Sequence, residues 1–391
     1  MKRMVYLIFL IFIMLGLYKY INQINLQSSE VLQVWVNESD YEVLETVNPI
    51  FESMYNVEVQ LKIIPSDKVI TNLPLYKKSN EYPDIINVSH TLISDLVEMN
   101  AIHPMSDIFD SFNILPNVKS AFKVKGEYYG VPYNAQTDIL YYNKEMFKYG
   151  IQSFSQLFDE DISLAIDYQS IYHINPFVTG FGGYTVGVDN FGDTNFYDIG
   201  LNNEDAIRGI AAMFYLLDKS LVYQTEFEVY RSFINQSSDL LIAPASLVSS
   251  LLEVYPNLGY QAIPNFVEDI LPYTYTKIDT YQITQSSKNQ ELAAKYLNYL
   301  LTEEVAKVRY DLTKGIAPVD YATIISQEEY YNVVKKQLHR SIPLPNQVEF
   351  SFVYLPFQRA SQQMLRLPYQ IETIMNETVD CINSELEKVI K

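Results

Sequence analysis

Short runs rich in β-branched residues alternate along this chain with segments of helical apolar spacing, and that alternation restricts the fold more than any other feature. The run VLQVWV, Val31–Val36, alternates apolar and polar positions and reads as a strand. Behind it, Val43, Leu44, Val47, Ile50 and Phe51 recur with the period of a helix. NVEVQLKII alternates again, a further helix precedes YPDIINVS, whose strand is opened by Pro83, and LISDLVEMNAI returns to helical spacing. Repeated strand–helix–strand units build a mainly parallel sheet flanked by helices, and ligands of such sheets sit beyond the carboxyl ends of the strands. The loops after Val36 and Val88 are therefore the first places to expect a site.

The second half repeats this grammar. SLAIDY and GYQAIPN read as short strands, and GFGGYTVGV turns sharply on its glycines. NEDAIRGIAAMFYLLDKS reads as a helix with acidic residues in its first turn, as the helix dipole favours. In SSKNQELAAKYLNYLLTEEVAKVRYDLTKGIAPV, Ser287 with Gln290 predicts a capping box for one helix. Thr302 opens the next, which Gly315 and Pro318 end. At 391 residues the chain exceeds what one core usually serves, so two domains are expected. No low-complexity linker separates them after the N-terminal segment.

Charge and composition exclude several functions. Asp and Glu number 47 against 28 Lys and Arg, a net charge of −19, which repels phosphate backbones and argues against nucleic acid as a partner. A single cysteine, Cys381, rules out an internal disulfide framework and a cysteine zinc site. The 33 tyrosines fit AT-rich coding and core-edge packing better than a stacking surface. No nucleotide-binding, metalloprotease or nucleophile-elbow motif is present, and the four histidines lack metal-ligand spacing. At the N-terminus Lys2 and Arg3 precede VYLIFLIFIMLGLY, which reads as a signal or membrane-anchor segment over residues 1–29. The charge asymmetry puts the rest of the chain outside the cell, anchored by this segment or secreted if it is cleaved.

One stretch resists a simple strand reading. In KGEYYGVPYNAQTDILYYNKEMF a polar run, Tyr133–Asp138, separates two apolar strands. Together with LQVWVNESDYEVL, YPDIINVSH, GFGGYTV and the helical pair above, this stretch resembles the extracellular solute-binding proteins of ABC importers, in the carbohydrate-binding branch that includes maltose-binding protein. The resemblance runs in family order from about residue 31 to the end. It implies an α/β, two-lobed, periplasmic-binding-protein-like fold of type II, each lobe a mainly parallel sheet flanked by helices, with a ligand cleft between them.

By that resemblance, residues 30–135 with 283–325 form the first lobe and residues 136–282 with 326–391 the second. Hinge crossings are expected near 133–138, 277–284 and 322–335. The resemblance implies ligand contacts from Asn37, Ser39 and Asp40, from His90, from Gln136, from Tyr172 and Asn175, and from Tyr354. Ala245 stands where the family's main stacking tryptophan is found, so a maltodextrin specificity does not carry over. The implied function is extracellular capture of a carbohydrate, an oligosaccharide, by lobe closure, and its delivery to the permease subunits of an ABC importer. A monomer without cofactor or enzymatic activity is expected. Open alternatives are another solute such as Fe(III), an anchored sensor with a degenerate sugar site, and a glycoside-active enzyme.

Overall fold

A computed structural model describes residues 30–79, 81–158, 162–189, 194–217, 225–321 and 328–389. The expected anchor segment and part of the third crossing lie outside the described residues. Among the described residues no helix is long and apolar enough to cross a membrane.

The N-terminal units form as the sequence suggests. Strand β1 (Glu30–Val36) pairs in parallel with β2 (Val57–Ile63) and β3 (Ile85–Ser89), with helices Glu38–Tyr55 and Ser66–Tyr76 as crossovers. A small hairpin, β4 (Lys123–Val124) with β5 (Glu127–Tyr128), leads into β6 (Val131–Asn143). The second half supplies β7 (Leu164–Ala165), the hairpin β8 (Val186–Val188) with β9 (Thr194–Ile199), β10 (Leu240–Pro244) and β11 (Leu258–Gln261). Then come the long strand β12 (Thr274–Ile283) and the short β13 (Ser341–Pro343). The main sheet has nine strands in the order β2-β1-β3-β12-β6-β10-β7, with β11 also on β6 and β13 on β12.

The polar run Tyr133–Asp138 is not a loop. It lies inside β6, one uninterrupted strand of 13 residues. From Val131 to Thr137 this strand pairs with β12, and from Asp138 to Asn143 with β10 and β11. A strand that changes partners midway along one sheet has to stay extended, so its polar residues are tolerated as strand residues wherever one face is left uncovered.

The two faces of this sheet are covered differently, and that difference creates the site. On one face a single core runs from end to end, joining Trp35, Ile86 and Val88 of the first lobe through Ala135 and Ile278 to Ile139, Tyr141, Leu241 and Ala243 of the second. On the other face there are two separate cores. Val34, Val36, Ile85, Tyr133 and Tyr281 belong to one, and Leu140, Leu240, Ile242 and Tyr275 to the other. Between them β6 and β12 carry no apolar side chain on that face. A bulge opposite Asp279 turns both Tyr133 and Asn134 toward it, so one residue fills the first core while the next stays at its edge.

One expected cap differs. Helix Gln290–Leu300 begins after Asn289 without a side-chain cap, because the Ser287 hydroxyl donates to Asp84 at 2.6 Å and accepts from the Asn289 N–H. The Asp84 carboxylate, fixed beside β1, outcompetes the local capping box. Thr302 does cap helix Glu303–Thr313 through the Val305 N–H, and Lys314 ends it in the left-handed conformation.

Candidate functional site in the strip between the lobes

The uncovered strip is built from backbone register. Gln136 lies directly opposite Lys277, and Asn134 opposite Asp279, so these four side chains share one face of the crossing strands. Lys277 is exposed and the other three are partly exposed. The loop after β1 borders the strip on the first-lobe side, because it leaves the carboxyl end of that strand. There Asn37 donates its amide to Asn87 of β3, and Asn87 donates at 3.3 Å to Asp40, which also accepts from the Tyr281 hydroxyl at 3.1 Å. Burial, with the nearby Asp279 charge adding to it, pushes the Asp40 carboxyl up to about 7, while Tyr281 and Arg309 oppose the rise. Burial also raises Asp279, against the pull of Lys277 and of Asn134. Arg309 sits 4.3 Å from the centre of the Tyr133 ring, a cation–π contact behind this border.

The second-lobe border is acidic. Asp138, fully buried on β6, accepts from His173 Nδ1 at 2.7 Å. Burial pulls the His173 imidazole down, but the Asp138 charge and hydrogen bond prevail and hold it above its ordinary value. Asp167, Glu226, Tyr230 and His173 line a narrow crevice at the ends of β7 and β10, with the Tyr230 hydroxyl donating to Glu226. Burial raises the Asp167 carboxyl.

The expected ligand residues divide into three groups. Asn37, Ser39, Asp40 and Gln136 border or line the strip, and Tyr172 joins them by donating its hydroxyl to the Gln136 carbonyl at 3.1 Å. The Tyr172 ring stacks on Tyr275 with centroids 6.4 Å apart. His90 and Asn175 are wholly buried and bonded into the framework. His90 Nδ1 accepts the Ile278 N–H at 3.0 Å and Nε2 donates to the Leu344 carbonyl at 2.9 Å, and burial pushes the ring down to about 4. Asn175 donates to the Tyr273 carbonyl and accepts from Thr185, at 2.8 and 2.7 Å. Tyr354, on helix Ser351–Arg366, is half-buried against the second-lobe core. Ala245 leaves little room for a ring stack, since it is buried and its carbonyl accepts from the Tyr141 and Tyr330 hydroxyls.

Sequence reading missed Asn87, Asn134, Lys277 and Asp279. The signal was present in TYTKIDTYQI, where Lys277 and Asp279, two residues apart, fall on one side of the strand between Tyr275 and Tyr281. Tyr141 and Tyr142 form no metal cradle, since they point to opposite faces and the Tyr141 hydroxyl donates to main-chain carbonyls of Pro244 and Ala245. Among the described residues no cluster of His, Cys, Asp or Glu could hold a metal ion. A separate groove of about 230 Å³, lined by Ala121, Val188, Tyr275, Leu344 and Asn346 among others, also touches both lobes.

Amides, carboxylates and one ammonium beside a tyrosine ring are the donors, acceptors and apolar face that polyhydroxylated molecules need. Several known proteins are similar to this chain. The galactooligosaccharide-binding protein of Bacillus subtilis is 25% identical over 353 residues, covering 85% of this chain and 83% of its own. A maltooligosaccharide ABC transporter solute-binding lipoprotein of Streptococcus pneumoniae is 24% identical over 386 residues, covering 92% and 90%. The crystal structure of the maltose-binding periplasmic protein MalE from Listeria monocytogenes, solved with maltose, superposes with a TM-score of 0.83 at 18% identity, over 93% of this chain and 99% of that one. The sequence profile of the family described as bacterial extracellular solute-binding protein matches residues 30–307, and the chain belongs to that family.

Proposed function

We propose that this protein captures an oligosaccharide outside the cell by closing its two lobes on the strip, and delivers it to the permease of an ABC importer. The observation that carries this reading is the bare polar strip between two otherwise separate cores, with Gln136, Asn134, Lys277 and Asp279 on one face. Relatives whose names state oligosaccharide binding support the ligand class. Asn37, Ser39, Asp40, Gln136 and Tyr172 are the proposed contacts, with Tyr354 reaching the ligand from the second lobe on closure. His90 and Asn175 act in this reading by holding the frame around the contacts. The proposed hinge is the stretch of β6 around Thr137, where pairing passes from β12 to β10, together with β12 and residues 322–335. Residues 1–29 tether the protein to the outer face of the membrane, and it works as a monomer without enzymatic activity.

The test is thermal unfolding against mono- and oligosaccharides, amino acids and Fe(III). A ligand at 100 times its dissociation constant stabilises the native state by about 2.7 kcal/mol. A rise with one class of saccharide supports the reading. A flat response to every saccharide refutes it, and a rise with Fe(III) alone replaces it.

A further inference from the structure

We propose that Lys277 is a ligand-binding residue of the cleft, donating from its ammonium to a hydroxyl or ring oxygen of the bound sugar while Asp279 accepts from another hydroxyl. The inference rests on the carbohydrate reading above and names the second crossing strand as a specificity element that neither the sequence motifs nor the relatives' names assign.

Four observations support it. Register places Lys277 opposite Gln136, in the middle of the uncovered face and not at the end of a strand. Apolar side chains occupy the same face of β12 on both sides, Tyr275 in one core and Tyr281 in the other, so a lysine here is no continuation of a solvated surface. The side chain is exposed, and among the described residues it makes no ion pair or hydrogen bond. Its charge is nevertheless felt by its neighbours, opposing the burial-driven rise of Asp279 and adding to the fall of His90.

The chemistry follows from lobe closure. An ammonium shut away from water without acceptors is costly, and among the described residues no carboxylate forms an ion pair with this one. The ligand has to supply the oxygens. Lys277 and Asp279 are two residues apart on one face, about 7 Å along the strand, a separation comparable to the width of one sugar ring. A donor and an acceptor so spaced, with the Gln136 amide beside them, read hydroxyls on opposite edges of a single ring. The acidic second-lobe border, with Asp138, Asp167 and Glu226, leaves Lys277 as the charged donor on the floor.

Calorimetric titration of the whole protein with maltotriose and with a galactooligosaccharide tests this, comparing wild type with Lys277→Met, Lys277→Arg and Asp279→Asn. Losing a hydrogen bond to a charged group weakens binding by about tenfold to a hundredfold. Lys277→Met is expected to weaken the saccharide that wild type binds by that factor, Lys277→Arg to recover part of the loss, and the unliganded melting temperature to stay unchanged. Bound saccharide is also expected to protect the Lys277 amine from acetylation, read by mass spectrometry. Binding by Lys277→Met within twofold of wild type, or acetylation unaffected by the saccharide, overturns the inference while leaving the carbohydrate reading intact. If wild type binds no saccharide, the carbohydrate reading falls and this inference falls with it.

Discussion

The Asp138–His173 pair offers the sharpest test of how β6 is held where it passes from one lobe to the other. Asp138 is fully buried, its Oδ2 lies 2.7 Å from His173 Nδ1, and its Oδ1 has no hydrogen-bond partner among the described residues. Replacing His173 with Gln removes the compensating charge and leaves the carboxylate stranded. Breaking a buried pair in this way costs about 3–5 kcal/mol, a large share of the roughly 5–15 kcal/mol that stabilises a typical protein. The pH dependence has a definite sign. The folded His173 binds its proton more tightly than an unfolded histidine does, so its contribution is complete below the ordinary imidazole value of about 6.5 and disappears as pH rises through the higher folded value. Urea unfolding of wild type and His173→Gln from pH 5 to 9 should therefore show curves far apart at the acid end that converge on the alkaline side. Asp138→Asn with His173→Gln should cost less than the sum of the single changes. A His173→Gln loss below about 1 kcal/mol, with the wild-type pH slope kept, would refute the argument.

Other outcomes follow from single sites. Asp40 is neutral in the fold well above the pH at which it ionises when unfolded, so wild type loses stability between about pH 4 and 7. Asp40→Asn should recover a few kcal/mol at pH 8 and change nothing at pH 3, measured by urea unfolding. Gly130, just before β6, has φ +76° and would place a Cβ 2.0 Å from Gln282 Nε2. Gly130→Ala should therefore destabilise by about 1–3 kcal/mol in thermal or urea unfolding. Gln136→Ala should weaken saccharide binding by about tenfold, read by calorimetry, with little effect on the unliganded melting point.

Much of the fold is legible in the sequence because its periodicities are strong. VLQVWV and NVEVQLKII announce β1 and β2, and the helices between them carry clear apolar stripes. The polar run Tyr133–Asp138 stands out in the sequence, but its conformation does not. A polar interruption normally marks a loop, and only the pairing of one strand with partners in both lobes keeps it extended. The site is less legible. Family position points to His90 and Asn175, yet whether an imidazole or amide faces a ligand or a backbone carbonyl depends on tertiary contacts, here with Leu344 and Tyr273, that no local pattern encodes. Lys277 and Asp279 are visible as polar residues in TYTKIDTYQI, but only the bulge and the cross-strand register show that they share a face with Gln136 and Asn134.

The central claim is that the uncovered strip of β6 and β12 is where ligand is held. Hydrogen–deuterium exchange of the protein with and without a saturating saccharide tests it most directly. Bound saccharide should slow exchange in residues 37–40, 133–138 and 276–279 and in the helix that begins at Ile171. Protection confined to the groove of Ala121, Val188 and Asn346, with residues 133–138 and 276–279 unchanged, would contradict it.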